Sequence, residues 1–227
     1  SLNLSVAQLD LANYAYTFGK PVILVLTEAR PRIIHSIVDQ AAAIIQTYLP
    51  GDYGADALTQ ILFGEINPSG KLPYTYPKYD GVIEFYDHPK SVDRSKSNDF
   101  KAFDPEWKFG FGLSYSTFTY SNLIVDKLEM NPTDTLKIKV TVQNTSNISG
   151  KEVVQLYVSD DVASLVPAGK KLKGFKKIEI AANTSETIDF FLSIEDLKFA
   201  DQNGKWKYEP GFFTLQIGDL KTSIRLN

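Results

Sequence analysis

Residues 136–142 read Leu136-Lys-Ile-Lys-Val-Thr-Val142, apolar and polar side chains in alternation. A period of two sends successive side chains to opposite faces, so the stretch predicts a β-strand with one buried face. Downstream, Val153-Val-Gln-Leu-Tyr-Val158 predicts a second strand, with Leu156 and Val158 on one face and Tyr157 on the other. Residues 172–180, 186–192, 206–208, 211–217 and 222–226 continue the series. Turn signals separate them at 144–150, Asn183-Thr-Ser185, Asn203-Gly204 and Glu209-Pro-Gly211. Roughly seven short strands over about 100 residues predict a β-sandwich of the immunoglobulin or fibronectin type III kind, placed at 122–227.

Upstream the pattern is different. Ser5 and Gln8 form an S-x-x-Q capping box, and Val6, Leu9, Ala12, Asn13 and Tyr16 follow at helical spacing. Gly19 is the expected C-cap, and Pro21 stops any continuation. The apolar run Pro21-Val-Ile-Leu-Val-Leu26 predicts a strand buried on both faces. Residues 31–40 predict a short helix with Pro31 near its first turn, 43–47 a strand, and 55–63 a helix closed by Gly64. Strand, helix, strand, helix in this order implies parallel strands with right-handed crossovers. A sheet of this kind needs more than two strands, so residues 1–78 are expected to be the C-terminal portion of a larger α/β sandwich domain. The fold class is thus α/β plus all-β. Between the two parts, 79–121 is expected to be a long loop and interdomain linker, rich in charge and poor in periodic apolar residues.

Composition narrows the function classes. The 227 residues are 43% hydrophobic and 22% charged, with a net charge of -3. That balance argues against nucleic acid and anionic membrane surfaces as partners. No apolar run approaches the roughly 18–20 residues of a bilayer span. There is no cysteine, which excludes disulfides and thiolate metal sites. Asp160-Asp161 alone does not make a cation site, and no metal or cofactor is expected. Lys170, Lys171, Lys173, Lys176 and Lys177 form a basic stretch that alternation would turn partly outward as edge-strand protection.

Several motifs occur in order on these elements. Lys20-Pro-Val-Ile-Leu-Val-Leu26 precedes Arg30-Pro31; Leu49-Pro-Gly51, Gly54 and Ala57 precede Ile61-Leu-Phe-Gly64; then come Asn67-Pro-Ser-Gly-Lys-Leu-Pro73 and Phe109-Gly-Phe-Gly-Leu-Ser-Tyr-Ser-Thr-Phe118. Together they resemble the C-terminal part of glycoside hydrolase family 3, the β-glucosidase family, over nearly the whole chain. The motifs themselves read as scaffold: Gly64 and Gly70 supply positive φ, Pro68 and Pro73 stiffen the connection, and Lys71 covers a helix end or pairs with a carboxylate. The aromatics of 109–118 are expected to dock the linker onto both domains.

What the resemblance implies is a retaining exo-β-glucosidase. Its Asp nucleophile would lie on a barrel domain and its acid/base Glu on a loop, both upstream of Ser1, so no catalytic residue is assigned within 1–227. Partners would be a β-glucoside or oligosaccharide and the N-terminal barrel region of the same protein. Periplasmic or secreted placement is what the resemblance favours. Alternatives are a non-catalytic carbohydrate-binding or structural module, and a β-xylosidase or N-acetylglucosaminidase of the same family. A homodimer would use the aromatic loop and exposed sandwich edges.

Three features are candidates for contact with substrate. Glu28 and Arg30 follow the first strand, where ligands of open α/β sheets bind; Glu28 lines the cleft or orients a catalytic group, or the two form a pair holding the turn. Asp52 and Tyr53 follow the second; Tyr53 stacks on a sugar and Asp52 accepts a hydroxyl, or Asp52 is a helix N-cap beside a packing aromatic. Tyr86, His88, Phe103 and Trp107 form an outer subsite or reach a neighbouring subunit, or are a strap packed by its own aromatics. His35 is read as an ordinary packed or exposed histidine.

Overall fold

A computed structural model of the chain describes residues 1–80, 85–89 and 104–227. They form two compact units: residues 1–66, 72–80, 85 and 104–111 belong to the first, and 67–71, 86–89 and 112–227 to the second.

The first unit is α/β. Helix α1 (Val6–Tyr16) opens with the capping box, Ser5 accepting from Gln8 N while the Gln8 side chain returns to the Ser5 backbone. Thr17 is the C-cap, and Gly19 follows with φ +63°. Leu9, Ala12 and Tyr16 face the core, whereas Val6, in the first turn, is exposed. Strand β1 (Ile23–Leu26) pairs in parallel with β2 (Ala43–Gln46), Ile23 opposite Ala43 and Leu26 opposite Gln46.

Two expectations are corrected in this unit. β1 is not buried on both faces: Leu24 and Leu26 pack inward, but Ile23 and Val25 are exposed. The intervening helix α2 is only His35–Val38. Ile33 N donates to Leu2 O, and Asn3 and Ile33 form a parallel bridge, so pairing with the N-terminal segment keeps the backbone extended past Pro31. Helix α3 (Gly54–Leu62) ends at Phe63 with Gly64 at φ +78°. The core comprises Ala12, Ile34, Ile37 and Tyr76, with Leu72, Tyr74 and Trp107 packed around it.

The second unit is a two-sheet β-sandwich. Its strands are β3 (Phe118–Val125), β4 (Glu129–Met130), β5 (Thr135–Asn144), β6 (Gly150–Asp160), β7 (Lys171–Ile180) and β8 (Ser185–Ser193). After helix α4 (Ile194–Leu197) come β9 (Phe199–Ala200), β10 (Trp206–Lys207), β11 (Gly211–Ile217) and β12 (Leu220–Leu226). One sheet has the order β3-β5-β8 and the other β4-β12-β11-β6-β7, while β9 and β10 form a small ribbon. Alternation on β5 is realised in full, with Leu136, Ile138, Val140 and Val142 at 0% exposure. They meet Val154, Leu156, Val158, Phe213, Leu215 and Ile217 from the five-stranded sheet.

The change of period read at Asn122 falls inside a strand. Pairing already begins at Phe118, and Asn122 has φ +53° within a register shift between Ser121 and Ile124. Tyr157 is also buried, but apart from the sandwich core that holds Leu156 and Val158; Lys170 Nζ lies 4.3 Å from its ring centre. The lysine-rich stretch is the edge strand β7, as its charge pattern predicts.

Within this unit the Asn67-Pro-Ser-Gly-Lys segment has a physical explanation. The Asn67 amide makes all four hydrogen bonds open to it. Its Nδ2 donates to Ser116 Oγ at 2.9 Å and Ser149 O at 3.0 Å. Its Oδ1 accepts from Ser114 Oγ at 2.8 Å and Tyr115 N at 2.9 Å. Lys71 Nζ donates to Gly112 O at 2.8 Å and lies 3.3 Å from the buried Glu152 carboxylate, which also accepts from Tyr120 Oη. Lys71 thus pairs with a carboxylate rather than covering a helix end. Small polar side chains carry the 114–116 contacts, while the expected aromatics act at either side of them, Phe111 stacking on Trp107 and Phe118 packing against the sandwich core. Gly70 does not use positive φ; the glycine requirement is at Gly112, where a Cβ would stand 2.1 Å from Gly70 O.

Candidate functional site

Parallel pairing brings the carboxyl ends of β1 and β2 together, and the polar residues of the first unit gather beyond them. Thr27 and Thr47 hydroxyls are 3.0 Å apart, and Thr47 N and Oγ1 both donate to Leu26 O. Tyr48 follows with φ +56°, a left-handed conformation that costs free energy for a non-glycine residue. Its ring meets Tyr74 edge-on at 6.3 Å, and Tyr74 lies 6.1 Å from Tyr76.

Glu28 is the charged centre of this cluster. Tyr76 Oη donates to its Oε1 at 2.9 Å. Burial pushes the Glu28 carboxyl above its ordinary range; the Tyr76 phenol, the Arg32 backbone N–H, the Gln46 amide and the Arg32 guanidinium pull in the opposite direction without prevailing. Burial likewise drives Tyr76 far above the usual phenol range, and the neighbouring Glu28 charge adds to it. Tyr74 is raised by burial first and by Tyr48 and Glu28 next. The phenols therefore remain protonated donors.

Around them, the Gln46 amide beside Glu28, Tyr74 Oη beside Tyr48, and Thr75 Oγ1 are buried; Gln46 and Tyr74 stand close enough to those neighbours to influence their protonation, but none of these atoms makes a well-formed hydrogen bond among the described residues. Each such group costs about 1–3 kcal/mol unless something else satisfies it. Donors and acceptors set this way suit a polyhydroxyl ligand or polar groups from another part of the polypeptide. Among the described residues no group of three or more His, Asp or Glu side chains could hold a metal ion. Nor is any helix among them long and apolar enough to cross a membrane.

The sequence candidates separate. Glu28 and Trp107 are joined through Tyr76: Tyr76 N donates to Trp107 O, and the rings meet at 5.0 Å and 67°. Trp107 also stacks on Phe111 at 6.3 Å and 10°, so its faces are engaged in packing. Arg30 is exposed and forms no pair with Glu28; Arg32, two residues on, supplies the cation and the backbone donor. Asp52 is not an N-cap, because α3 begins one residue later, with Tyr53 as an N-cap that makes no side-chain cap bond. Asp52 is exposed, and Tyr53 is 83% exposed. His35 Nδ1 lies 2.8 Å from Glu106 Oε2.

Tyr86 and His88 belong to the second unit. His88 O accepts from Gly169 N, and Pro89 bridges to Ala168. Phe103 lies outside the described residues. The residues that sequence reasoning missed are Gln46, Tyr74, Thr75 and Tyr76. The signal available was Tyr74-Thr-Tyr76, two large phenols alternating between Pro73 and Pro77, directly after the segment read as scaffold.

Comparison with known proteins covers both units. Residues 1–115 match the glycosyl hydrolase family 3 C-terminal domain, and residues 152–221 a fibronectin type III-like domain. The chain belongs to glycoside hydrolase family 3. It is 38% identical to a putative β-xylosidase of Formosa agariphila, over 97% of this chain and 30% of that protein. It is 36% identical to a periplasmic β-glucosidase of Salmonella typhimurium, over 96% of this chain and 30% of that one. A solved β-glucosidase of Erythrobacter marinus superimposes with a TM-score of 0.93 at 31% identity, covering 100% of this chain and 31% of the other. The chain therefore spans about a third of the length of the family 3 relatives it matches.

Proposed function

We propose that this chain is the C-terminal region of a retaining β-glucosidase that releases terminal, non-reducing β-D-glucosyl residues. The nucleophile would stand on a barrel domain, and both it and the acid/base glutamate would precede Ser1 in sequence. Such enzymes use two carboxyls about 5–5.5 Å apart, one attacking the anomeric carbon and the other protonating the leaving oxygen. The observation that carries the proposal is a family 3 α/β unit with a partly buried carboxylate and orphaned polar groups just beyond its parallel strands. β-Glucosidases among the relatives, aligned over nearly this whole chain, support the substrate class.

In this proposal Glu28 is a positioning residue. Tyr76 and Arg32 fix its carboxylate, and Gln46 and Tyr74 offer hydrogen bonds to groups of the barrel region or to sugar hydroxyls. The exposed Arg30, Asp52 and Tyr53 extend the surface offered to substrate beyond the strand ends.

A β-xylosidase is the second reading, favoured by two relatives of that name at 38% and 36% identity. The test is hydrolysis of aryl β-D-glucoside and aryl β-D-xyloside by the complete native protein, with the first-formed anomer read by NMR. A higher kcat/KM on the glucoside with β-glucose formed first supports the proposal. Preference for the xyloside supports the second reading. Turnover of neither leaves a non-catalytic module.

A further inference from the structure

The sandwich carries a cavity that the family assignment does not account for. It has a volume of about 280 Å³, bounded by the loop at 163–168, the start of β7, α4 and the β9–β10 ribbon. Against roughly 300–1,000 Å³ for ordinary ligand pockets, it admits one small ring. Leu165, Pro167, Ala200 and Phe213 give it apolar walls, and Trp206 stands at it with 70% of its surface exposed.

The walls are pinned. Glu209 Oε2 accepts from Ser164 N at 2.8 Å while Glu209 Oε1 pairs with Lys207. Ser159 Oγ donates to Gly169 O, and the 88–89 segment pairs with Ala168 and Gly169. The Lys207 ammonium first, and Ser164 next, hold the Glu209 carboxyl low, at about 2, so it stays ionised at any working pH.

The charges inside are unequal. Asp160 is tied to Val162 N, Asp196 to Ser193 N and Oγ, and Lys198 to Glu195. Lys171 and Lys173 also line the cavity, half-buried, and no carboxylate among the described residues comes within ion-pair distance of either. Lys173 is placed there by the backbone. Leu156 pairs with Gly174 and Tyr157 with Leu172, so Lys173 is the extra residue of a β-bulge, a device that re-aims a side chain. Burial holds its ammonium below the ordinary lysine range, with Asp196 opposing and Lys171 adding to the effect. A half-buried ammonium with no carboxylate at ion-pair distance among the described residues keeps an attraction for an anion.

We propose that this cavity is a subsite for a sugar acid, a single uronate unit whose carboxylate is held by Lys173 and Lys171 and whose ring lies on Trp206. The apolar walls and exposed indole favour a ring over a bare anion, and two cations with no ion-pair partner among the described residues favour a carboxylate over a neutral sugar.

The test is calorimetric titration of the native protein with D-glucuronate, D-glucose, acetate and inorganic phosphate. Glucuronate is expected to bind at least tenfold more tightly than the other three. Lys173→Met keeps the aliphatic stem and is expected to weaken glucuronate at least tenfold. Lys173→Arg should retain most of the affinity, and Trp206→Ala should lose it with the thermal midpoint unchanged. Acetate or phosphate binding as well as glucuronate, glucose binding equally, or a Lys173→Met variant of unchanged affinity would each overturn the proposal.

Discussion

Glu28 shows how a single residue combines two opposing demands. It follows β1 in a partly buried position, yet it accepts a hydrogen bond from the Tyr76 phenol and faces the Arg32 guanidinium. Burial prevails, so the folded state holds the carboxyl proton more tightly than the unfolded chain does. A raised carboxyl pKa contributes stability that is complete below the ordinary glutamate range and is lost as pH rises through the folded value. Glu28→Gln can still accept from Tyr76 but has no charge to bury. Urea denaturation from about pH 4 to about pH 7 should therefore show the wild type losing stability relative to Glu28→Gln as pH rises. A difference that grows in favour of the wild type would mean that Tyr76 and Arg32 outweigh burial. The position of Glu28 was legible in the sequence, as a carboxylate just after a predicted strand. Its partner was not, because Tyr76 lies 48 residues away and only folding brings the two together.

At the scale of elements, the motifs prove to be instructions for close approach. Asn67 is fully bonded to the 114–116 segment and to Ser149, and Gly150 at the start of β6 leaves room for it. A Cβ on Gly150 would stand 2.5 Å from Ser116 Oγ and 3.0 Å from Asn67 Nδ2. Gly150→Ala is expected to cost about 1–3 kcal/mol by overpacking, measured by chemical denaturation. A neutral substitution would mean that the Ser116 and Asn67 side chains move aside freely. Element type was readable from periodicity and caps, as for α1, α3, β5 and β11. Element extent was not where tertiary pairing competes with local preference. Ile33 pairs with the N-terminal segment and shortens α2, and the bulge at Asn122 hides the true start of β3.

At the scale of the molecule, two units with separate cores make separable contributions to stability. Ile138 is fully buried in the sandwich core, and Ile138→Ala should cost roughly 2–5 kcal/mol there. In calorimetry that loss should lower one transition and leave a second, belonging to the α/β unit, in place. A single transition that shifts as a whole would show the two cores to be energetically coupled. By itself the sequence determined the fold class, the family and the lysine-edged sandwich. Those depend on periods of two and 3.6, on caps and on motif order, all of which are local properties of the chain. Only the tertiary structure decided that Glu28 bonds Tyr76, that Asn67 is saturated by serines, and that Lys173 is turned into a cavity by a bulge. Those outcomes depend on which distant segments meet, and on how burial and pairing balance once they do, which no local pattern encodes.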